Sequence, residues 1–576
     1  MTMIYYIIMY NNLQDMTKTK TLFLILTLAA ATATACARTV GVTGTDNQPR
    51  IINIVNFIRQ TDYRVEDADR KLYETVCRQV ELVNRYDLPA TFLLEYDALI
   101  NPLYQKLLKT ELRNGAEIGA WWELTQPHIE AAGLKWRGEH PWVSHANIAF
   151  STGYTKEERE RLVDVYMRKF KDVFGTYPKS VGSWYIDAHT LAYMHDRYGI
   201  EASCNCKDQI GTDGYTLWGG YWNQAYYPSR LNAYMPAQTG AGQIPVPVFR
   251  MLGSDPIYQY DDGLGNERQG VISLEPVYKH AGMNRKWVDY FFDALTDGPC
   301  LAFGYAQAGQ ENSFTWDNMR EGLEMQMPLI DSLRRAGKVR VETLGESGRW
   351  FRKRFPLTPA TAVTTVSDVR GEGNKTVWYD SRYYRANLLW EKGRFRFRDI
   401  HLFDERFKSE YLDTPGTGDR FLFYTMPFVD GFMWSKGGDR AGLSLVRTGS
   451  EGHAEELRLD SPEVKERGRS VLEVRGNDQY GDTFRITLHD DRIEVSSPDA
   501  DKDVAWALQL HAAPGTELPF TDVGGKSANA VFRGHSYSVT CSEGRFEKAA
   551  EGDSHVLRII PDNGKITIDC AVRQSR

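Results

Sequence analysis

Between residues 50 and about 350, short apolar runs alternate with amphipathic stretches, and the spacing of apolar positions switches repeatedly between strand-like and helical periods. "RIINIVNFIR" reads as a strand and "EDADRKLYETVCRQVELVNRYD" as a helix. "PATFLLEYDAL" is strand again, with a helix near residues 103–113 behind it. "GAEIGAWWEL" gives a third strand. The stretch "TKEERERLVDVYMRKFKDVFG" is a helix opened by Thr155 with Glu158 three residues later, the spacing of a capping box. "SVGSWYID", "IEASCN", "IPVPVFRM", "CLAFGYAQ" and "VRVETL" continue the strand series. Such alternation predicts a parallel sheet with crossover helices, most economically a closed (β/α)7–8 TIM-like barrel over residues 50–350.

After Arg349 and Trp350 the pattern changes. A stretch rich in Thr, Pro and Gly leads into short alternating strands such as "RFRFRDIHLF", "TFRITLHDDRIEVSS" and "KITIDCAV", with turn residues between them. This predicts an antiparallel β-sandwich over residues 356–576, accessory to the barrel. The N-terminus has a different layout. From Met16, two lysines precede an apolar run at Leu22–Leu28 and then small residues, which is the three-part form of a secretory leader. Residues 1–37 are therefore expected to be an over-extended start followed by a signal peptide cleaved after Ala37, with lipidation of Cys36 as the alternative. The expected location is secreted, in a periplasm or at a cell surface. No later segment reads as a membrane span.

Composition narrows the function. The chain has 576 residues, too many for a single ordinary core. With 25% charged residues, a formal charge of −7 and no basic stripe, it does not read as a nucleic-acid binder. Six cysteines follow the leader, too sparse for a disulfide scaffold; Cys204 and Cys206 read as structural thiols rather than metal ligands. Aromatic residues crowd between Trp121 and Tyr260, as in a core or along a sugar-stacking cleft.

If the strands are read correctly, the residues just past each one share a rim, where barrel enzymes place their chemistry. Strand one ends in Arg59 and Asp62, and strand three in Trp121, Trp122 and Glu123. Strand four ends in Asp187 with His189 beyond it, strand six in Arg250 and Asp255, and strand seven in Glu311. Two carboxyls across such a cleft, one ionised and one protonated, are what glycoside cleavage needs. Asp187 and Glu311 form the expected pair. Asp187 is equally well placed to cap the following helix, and Glu311 to be a solvated turn residue. Trp121, Trp122 and Trp222 are candidate sugar platforms or core residues. His189 either orients the acid or is structural. Arg59 and Arg250 pair with neighbouring acids or, if both enter one pocket, grip an acidic sugar. The segment "RGEHPWVSHANIAF" could lid the cleft, and "KDQIGTDGYTLWGGYWNQAYYPSR" could form a second binding loop.

The stretch "GTYPKSVGSWYIDAHTLAYMHDRYGIEAS" resembles the strand-four region of the barrels of family 38 and family 57 glycoside hydrolases, and also the third motif of NodB-type polysaccharide deacetylases. The likeness covers roughly residues 50–350, and its specific part is Tyr177–Gly199. It implies a nucleophile at Asp187, within Trp184, Tyr185, Ile186 and Asp187, and by position an acid at Glu311. The chain departs from the deacetylase pattern at "NGAEIGAWWELT", where Trp121 and Thr125 stand at the ligand positions, and strand one lacks the paired aspartates. Tryptophan cannot ligate zinc. The resulting expectation is a metal-independent, cofactor-free glycoside hydrolase acting on a carbohydrate. The alternatives are a deacetylase-type esterase and a non-catalytic glycan-binding protein.

Overall fold

In a computed structural model, the described residues are 48–572 apart from positions 114, 213, 265–267, 270–275, 280–282, 449–453, 498–504 and 549–554. The leader expected over residues 1–37 and the anchor at Cys36 lie outside them. Among the described residues no helix is long and apolar enough to cross a membrane.

The first half is built on a curled parallel sheet. Its strands are β1 (Arg50–Ile58), β2 (Thr91–Leu94), β3 (Glu117–Trp121), β4 (Ser180–Gly182), β5 (Ala202–Cys206), β6 (Val248–Met251) and β7 (Gly304–Ala308), hydrogen-bonded in the order β7-β1-β2-β3-β4-β5-β6. A short β8 (Arg340–Glu342) pairs with the start of β1, while β2 takes the other half of the same strand from Val55 onward. The expected barrel is not closed by a ladder: among the described residues β6 pairs on its free side with the antiparallel strand Ala225–Tyr226, not with β7. Helices α1 (Ala68–Arg85), α2 (Pro102–Thr110), α3 (Lys156–Phe174), α4 (Ala188–Tyr198), α5 (Arg285–Thr296), α6 (Trp316–Arg335) and α7 (Leu344–Arg354) occupy most of the crossovers. The helix α3 starts at the capping box read from the sequence: Thr155 Oγ1 accepts from the Glu158 N–H, and Glu158 accepts from the Thr155 N–H. Because both faces of the sheet are covered, its strands are buried along almost their whole length rather than on alternate residues.

The second half forms antiparallel sheets of ten and eight strands, and Leu388 and Phe397 of one share an apolar cluster with Leu472, Ile486 and Ile493 of the other. The two halves interlock. Strand Phe421–Tyr424 pairs in parallel with Tyr215–Trp218, part of the long connection between β5 and β6. Trp378 stacks on Trp222 with centroids 4.4 Å apart and planes 9° from parallel. The long connection is thus ordered by the chain that follows the parallel sheet.

Strand β4 passes closely behind the tryptophan that ends β3. A Cβ on Gly182 would meet Leu93 Cδ1 at 2.5 Å, Cys204 Sγ at 2.8 Å and Trp121 Cζ3 at 3.0 Å. Gly182→Ala is expected to lower stability by about 1–3 kcal/mol through overpacking, measured by urea denaturation, and to disturb Trp121.

Candidate active site

Arg59 is the first residue beyond β1, and it sits among acids delivered by three other strand ends. Its Nε donates to Glu95 Oε1 at 3.1 Å, just past β2. One terminal nitrogen, Nη2, donates to Glu123 Oε2 at 2.8 Å, just past β3. The other, Nη1, lies 3.2 Å from Glu311 Oε2, past β7, and 3.6 Å from Asp62 Oδ2. Asn312 fixes the frame: it accepts from the Arg59 N–H at 2.9 Å and donates back to the Arg59 carbonyl at 2.8 Å, tying the end of β1 to the turn after β7. Arg59, Asp62, Glu95, Glu123 and Glu311 are each no more than 3% exposed.

Four carboxyls around one guanidinium cannot all ionise cheaply in a dry site, so their environments separate them. Burial, helped by Asp97 and Glu123, pushes Glu95 well above the usual carboxylate range, and Arg59 only partly opposes this. Burial also raises Asp97, two residues after Glu95, to about 7. Asp62 goes the other way. Burial pushes it up, but bonds from Arg64 and the charges of Arg59 and Arg64 outweigh that and hold it low. Burial opposes the charge on Arg59, and the surrounding acids more than restore it. The cluster therefore holds a neutral carboxyl, Glu95, and an ionised one, Asp62, around a fixed cation. That cation stands where a divalent ion would have to sit to use the same acids.

Tryptophans close the site. Trp121 Nε1 donates to Glu123 Oε2 at 3.0 Å, and its ring stacks on Phe57 at 4.0 Å. Trp142, from the segment expected to lid the cleft, donates to Glu123 Oε1 at 2.9 Å. The guanidinium of Arg59 lies 4.2 Å from the Trp142 ring centroid, and that of Arg64 4.6 Å. Outside them Tyr63, half exposed, stacks on His140.

Asp187 belongs to a different network. Its Oδ1 accepts from the Thr190 N–H at 3.0 Å, which caps α4, and from Arg159 Nη1 at 3.0 Å. Its Oδ2 accepts from Ser151 Oγ at 2.5 Å and Thr190 Oγ1 at 2.6 Å. Burial pushes this carboxyl up, but Arg159 and the three hydrogen-bond donors outweigh burial and hold it below its ordinary value. With every lone pair used, Asp187 has the capping role and is not joined to Glu311 in a pair.

The remaining expected residues divide. Trp122 faces the helices, with His128 and Tyr166 at its edges. His189 pairs with Glu160 at 3.0 Å on the α3–α4 surface. Asp255 accepts from the N–H groups of Ile257 and Tyr258 in a turn, and burial raises it to about 6. Arg250 pairs with Asp208 at 3.0 Å and donates to Asn205 at 3.1 Å. Both arginines proposed to grip an acidic sugar are thus already bound by acids of the chain. Trp222 lines a separate hollow with Lys207, Trp218 and Tyr260 beyond β5. Cys204 and Cys206 are buried in β5, and Gln209 Nε2 donates to Cys206 Sγ. Glu95, Trp142 and Lys207 were missed. Glu95 and Lys207 directly follow β2 and β5, so their position at a strand end is the signal for them, whereas Trp142 carries only that of lying in the segment expected to lid the cleft.

Asp187→Asn keeps a cap but strands Arg159, and is expected to cost about 3–5 kcal/mol. Because its folded pKa is depressed, the contribution of Asp187 is fully present above the unfolded value of about 4 and is lost as pH falls through the folded value. Urea titrations of both proteins from pH 7 to pH 2 should therefore converge at the acid end. A cost below about 1 kcal/mol at pH 7 would remove the structural assignment.

No family model matches the chain, and no curated protein matches it. Solved structures similar to it include a Parabacteroides distasonis protein described as a glycoside hydrolase/deacetylase, at 15% identity, covering 66% of this chain and 90% of the other with a TM-score of 0.46. A Mycobacterium smegmatis protein described as a polysaccharide deacetylase is similar at 12% identity, 55% and 96% coverage and a TM-score of 0.35. One from Pseudomonas aeruginosa PAO1, described in the same terms, gives 11%, 55%, 99% and 0.31.

Proposed function

We propose that the chain is a hydrolase of carbohydrates that cleaves a glycosidic bond with the carboxyls gathered around Arg59. The observation that carries this reading is the convergence of Glu95, Glu123 and Glu311 on one buried guanidinium, with Glu95 held neutral. In this reading Glu311 takes the nucleophile's role first expected of Asp187, and Glu123 takes the acid's role first expected of Glu311. The two are held on different terminal nitrogens of the same guanidinium, which fixes their separation. The proton held by neutral Glu95 passes through its hydrogen bond to Glu123 and on to the leaving oxygen, which departs as the alcohol. Glu311 attacks the anomeric carbon or activates a water. Arg59 limits the repulsion between them as charge moves. Trp142 must swing off Arg59 for a sugar ring to reach Glu123, and its own flat face over the guanidinium marks the space a pyranose would take. Carboxyl carbons about 5–5.5 Å apart in the opened site mean retention, and about 6.5–9.5 Å inversion.

A second reading is favoured by the burial of the whole cluster: a glycan-binding protein in which these acids only brace the sheet. Purified protein assayed on aryl glycosides and polysaccharides, with acetate release from acetylated glycans followed in parallel, separates the two readings and detects an esterase. Glu123→Gln and Glu311→Gln are each expected to fold and to lose about 10²–10⁴-fold in kcat/KM. Wild-type turnover by either variant ends the assignment, and acetate release without glycosidic cleavage replaces it with deacetylation.

A further inference from the structure

The outer face of the ten-stranded sheet in the second half carries a charged hollow. Along its strands Phe395, Phe397, Leu443, Leu445, Leu508 and Leu510 turn inward to the apolar cluster shared with the other sheet. Arg394, Arg396, Ser444 and Gln509 alternate with them on the outer side. Together with the turns at 391–392 and 438–440 they wall a space of about 700 Å³, within the range of about 300–1,000 Å³ typical of small-ligand sites. Five cations line it, Lys392, Arg394, Arg396, Arg440 and Arg458, against three carboxylates, Glu391, Asp439 and Glu456. Arg396 pairs with Glu391 at 3.1 Å and Arg394 with Glu456 at 3.8 Å. Burial pushes Glu391 up, but Arg396, with Arg398 and Arg440 beyond it, outweighs burial and holds the carboxylate low. Among the described residues Lys392, Arg440 and Arg458 form no ion pair, and only Asp439 remains to face them. A shallower hollow past Arg394 and Arg458 adds one more acid, Glu455, already bonded by Tyr480 Oη at 2.7 Å. The positive excess therefore lies in the larger hollow, in a chain whose formal charge is −7.

We infer that this hollow binds an acidic glycan, whose pyranose carboxylate or sulfate ester is held by Arg440, Arg458 and Lys392 while its hydroxyls reach Glu456, Ser444 and Gln509. The inference rests on the reading of the chain as carbohydrate-active and adds a second site to it, one that shares no residue with the acids around Arg59. Cations that outnumber acids in a concave wall focus their field on the space they enclose. Guanidinium forks match the paired oxygens of carboxylate and sulfate. The interspersed acids decide which kind of anion fits. Glu456 accepts from Ser444 Oγ at 3.4 Å and keeps lone pairs for sugar hydroxyls. Arg558 Nε donates to the Gln509 oxygen at 2.6 Å, which leaves the Gln509 amide to donate. A nucleic acid, with a phosphate at every residue, would meet the same acids as repulsion. Among the described residues no Trp, Tyr or Phe lines the hollow for a base to stack on. A glycan held by its charged and hydroxyl groups needs no such platform.

The test is calorimetric titration of the intact protein with tri-galacturonate, a sulfated galactan trisaccharide, neutral galactotriose and an oligothymidylate of matched charge. At least one acidic glycan should bind about tenfold or more tighter than galactotriose. Its affinity should fall as salt rises from about 0.05 M to about 0.5 M. Whichever acidic glycan binds tells whether carboxylate or sulfate is the group recognised. Arg440 and Arg458 are exposed, so the double variant Arg440→Ser, Arg458→Ser should melt with wild type and keep any turnover of aryl glycosides. It should lose about tenfold or more in affinity for the acidic glycan. Equal affinity for acidic and neutral trisaccharides, tightest binding of the oligothymidylate, or unchanged binding by the double variant overturns the site. Acidic-glycan binding that the double variant loses, with no glycosidic cleavage of any glycan, sinks the proposed hydrolysis and leaves the site standing. Cleavage of glycans with no binding of either acidic trisaccharide does the reverse.

Discussion

The guanidinium of Arg59 sets the terms for everything around it. It donates hydrogen bonds to, or makes close charge contacts with, acids that follow β1, β2, β3 and β7, so one side chain fixes how four strand ends sit relative to each other. Removing one member of so buried an ion network leaves the others uncompensated, which is far worse than never having had it. The same constraint forces a division of labour among the acids. With one permanent cation and little water, at least one carboxyl must keep its proton, and the most enclosed, Glu95, is the one that does. A neutral Glu95 is thus a consequence of burial, and an ionised Asp62 beside it a consequence of Arg64 and Arg59.

The chain also shows how far strand-end logic carries. Arg59, Asp62, Trp121, Glu123 and Glu311 all stand at or just after the end of an apolar run, and these do meet. Applied evenly, the same rule points to Glu95 after "TFLL" and Lys207 after "ASCNC". Asp187 is instructive in the opposite sense. Asp immediately before a helical run is a helix-start signature, and that local signal accounts for the capping bond Asp187 makes to the Thr190 N–H. What could not be read locally depends on long-range partners: Trp142 reaching Glu123, Arg159 reaching Asp187, and Arg385 from the later half reaching Asp208.

At the level of the fold, the periodicity of the first half identified the parallel strands, because each is short, apolar and bounded by polar turns. It did not reveal that β6 would turn to an antiparallel neighbour instead of completing a ring with β7, since a strand's apolar pattern says nothing about which edge meets which. The alternating strands of the second half read correctly as antiparallel sheet. Their reach back into the first half was invisible, because Trp378 and Phe421–Tyr424 look like ordinary core positions until their partners are known.

The parallel ladder between Tyr215–Trp218 and Phe421–Tyr424 carries a consequence for how the molecule is made. Domains fold as they emerge from the ribosome, N-terminal parts first. Here the wall of the Lys207 hollow contributed by Trp218 has its neighbouring strand encoded far downstream, so the parallel sheet can assemble while that wall is still unpaired. A nascent or truncated chain would expose an open strand edge beside a cluster of rings, which is the kind of surface that pairs with other chains. Completion of the second half is thus what finishes the pocket of the first.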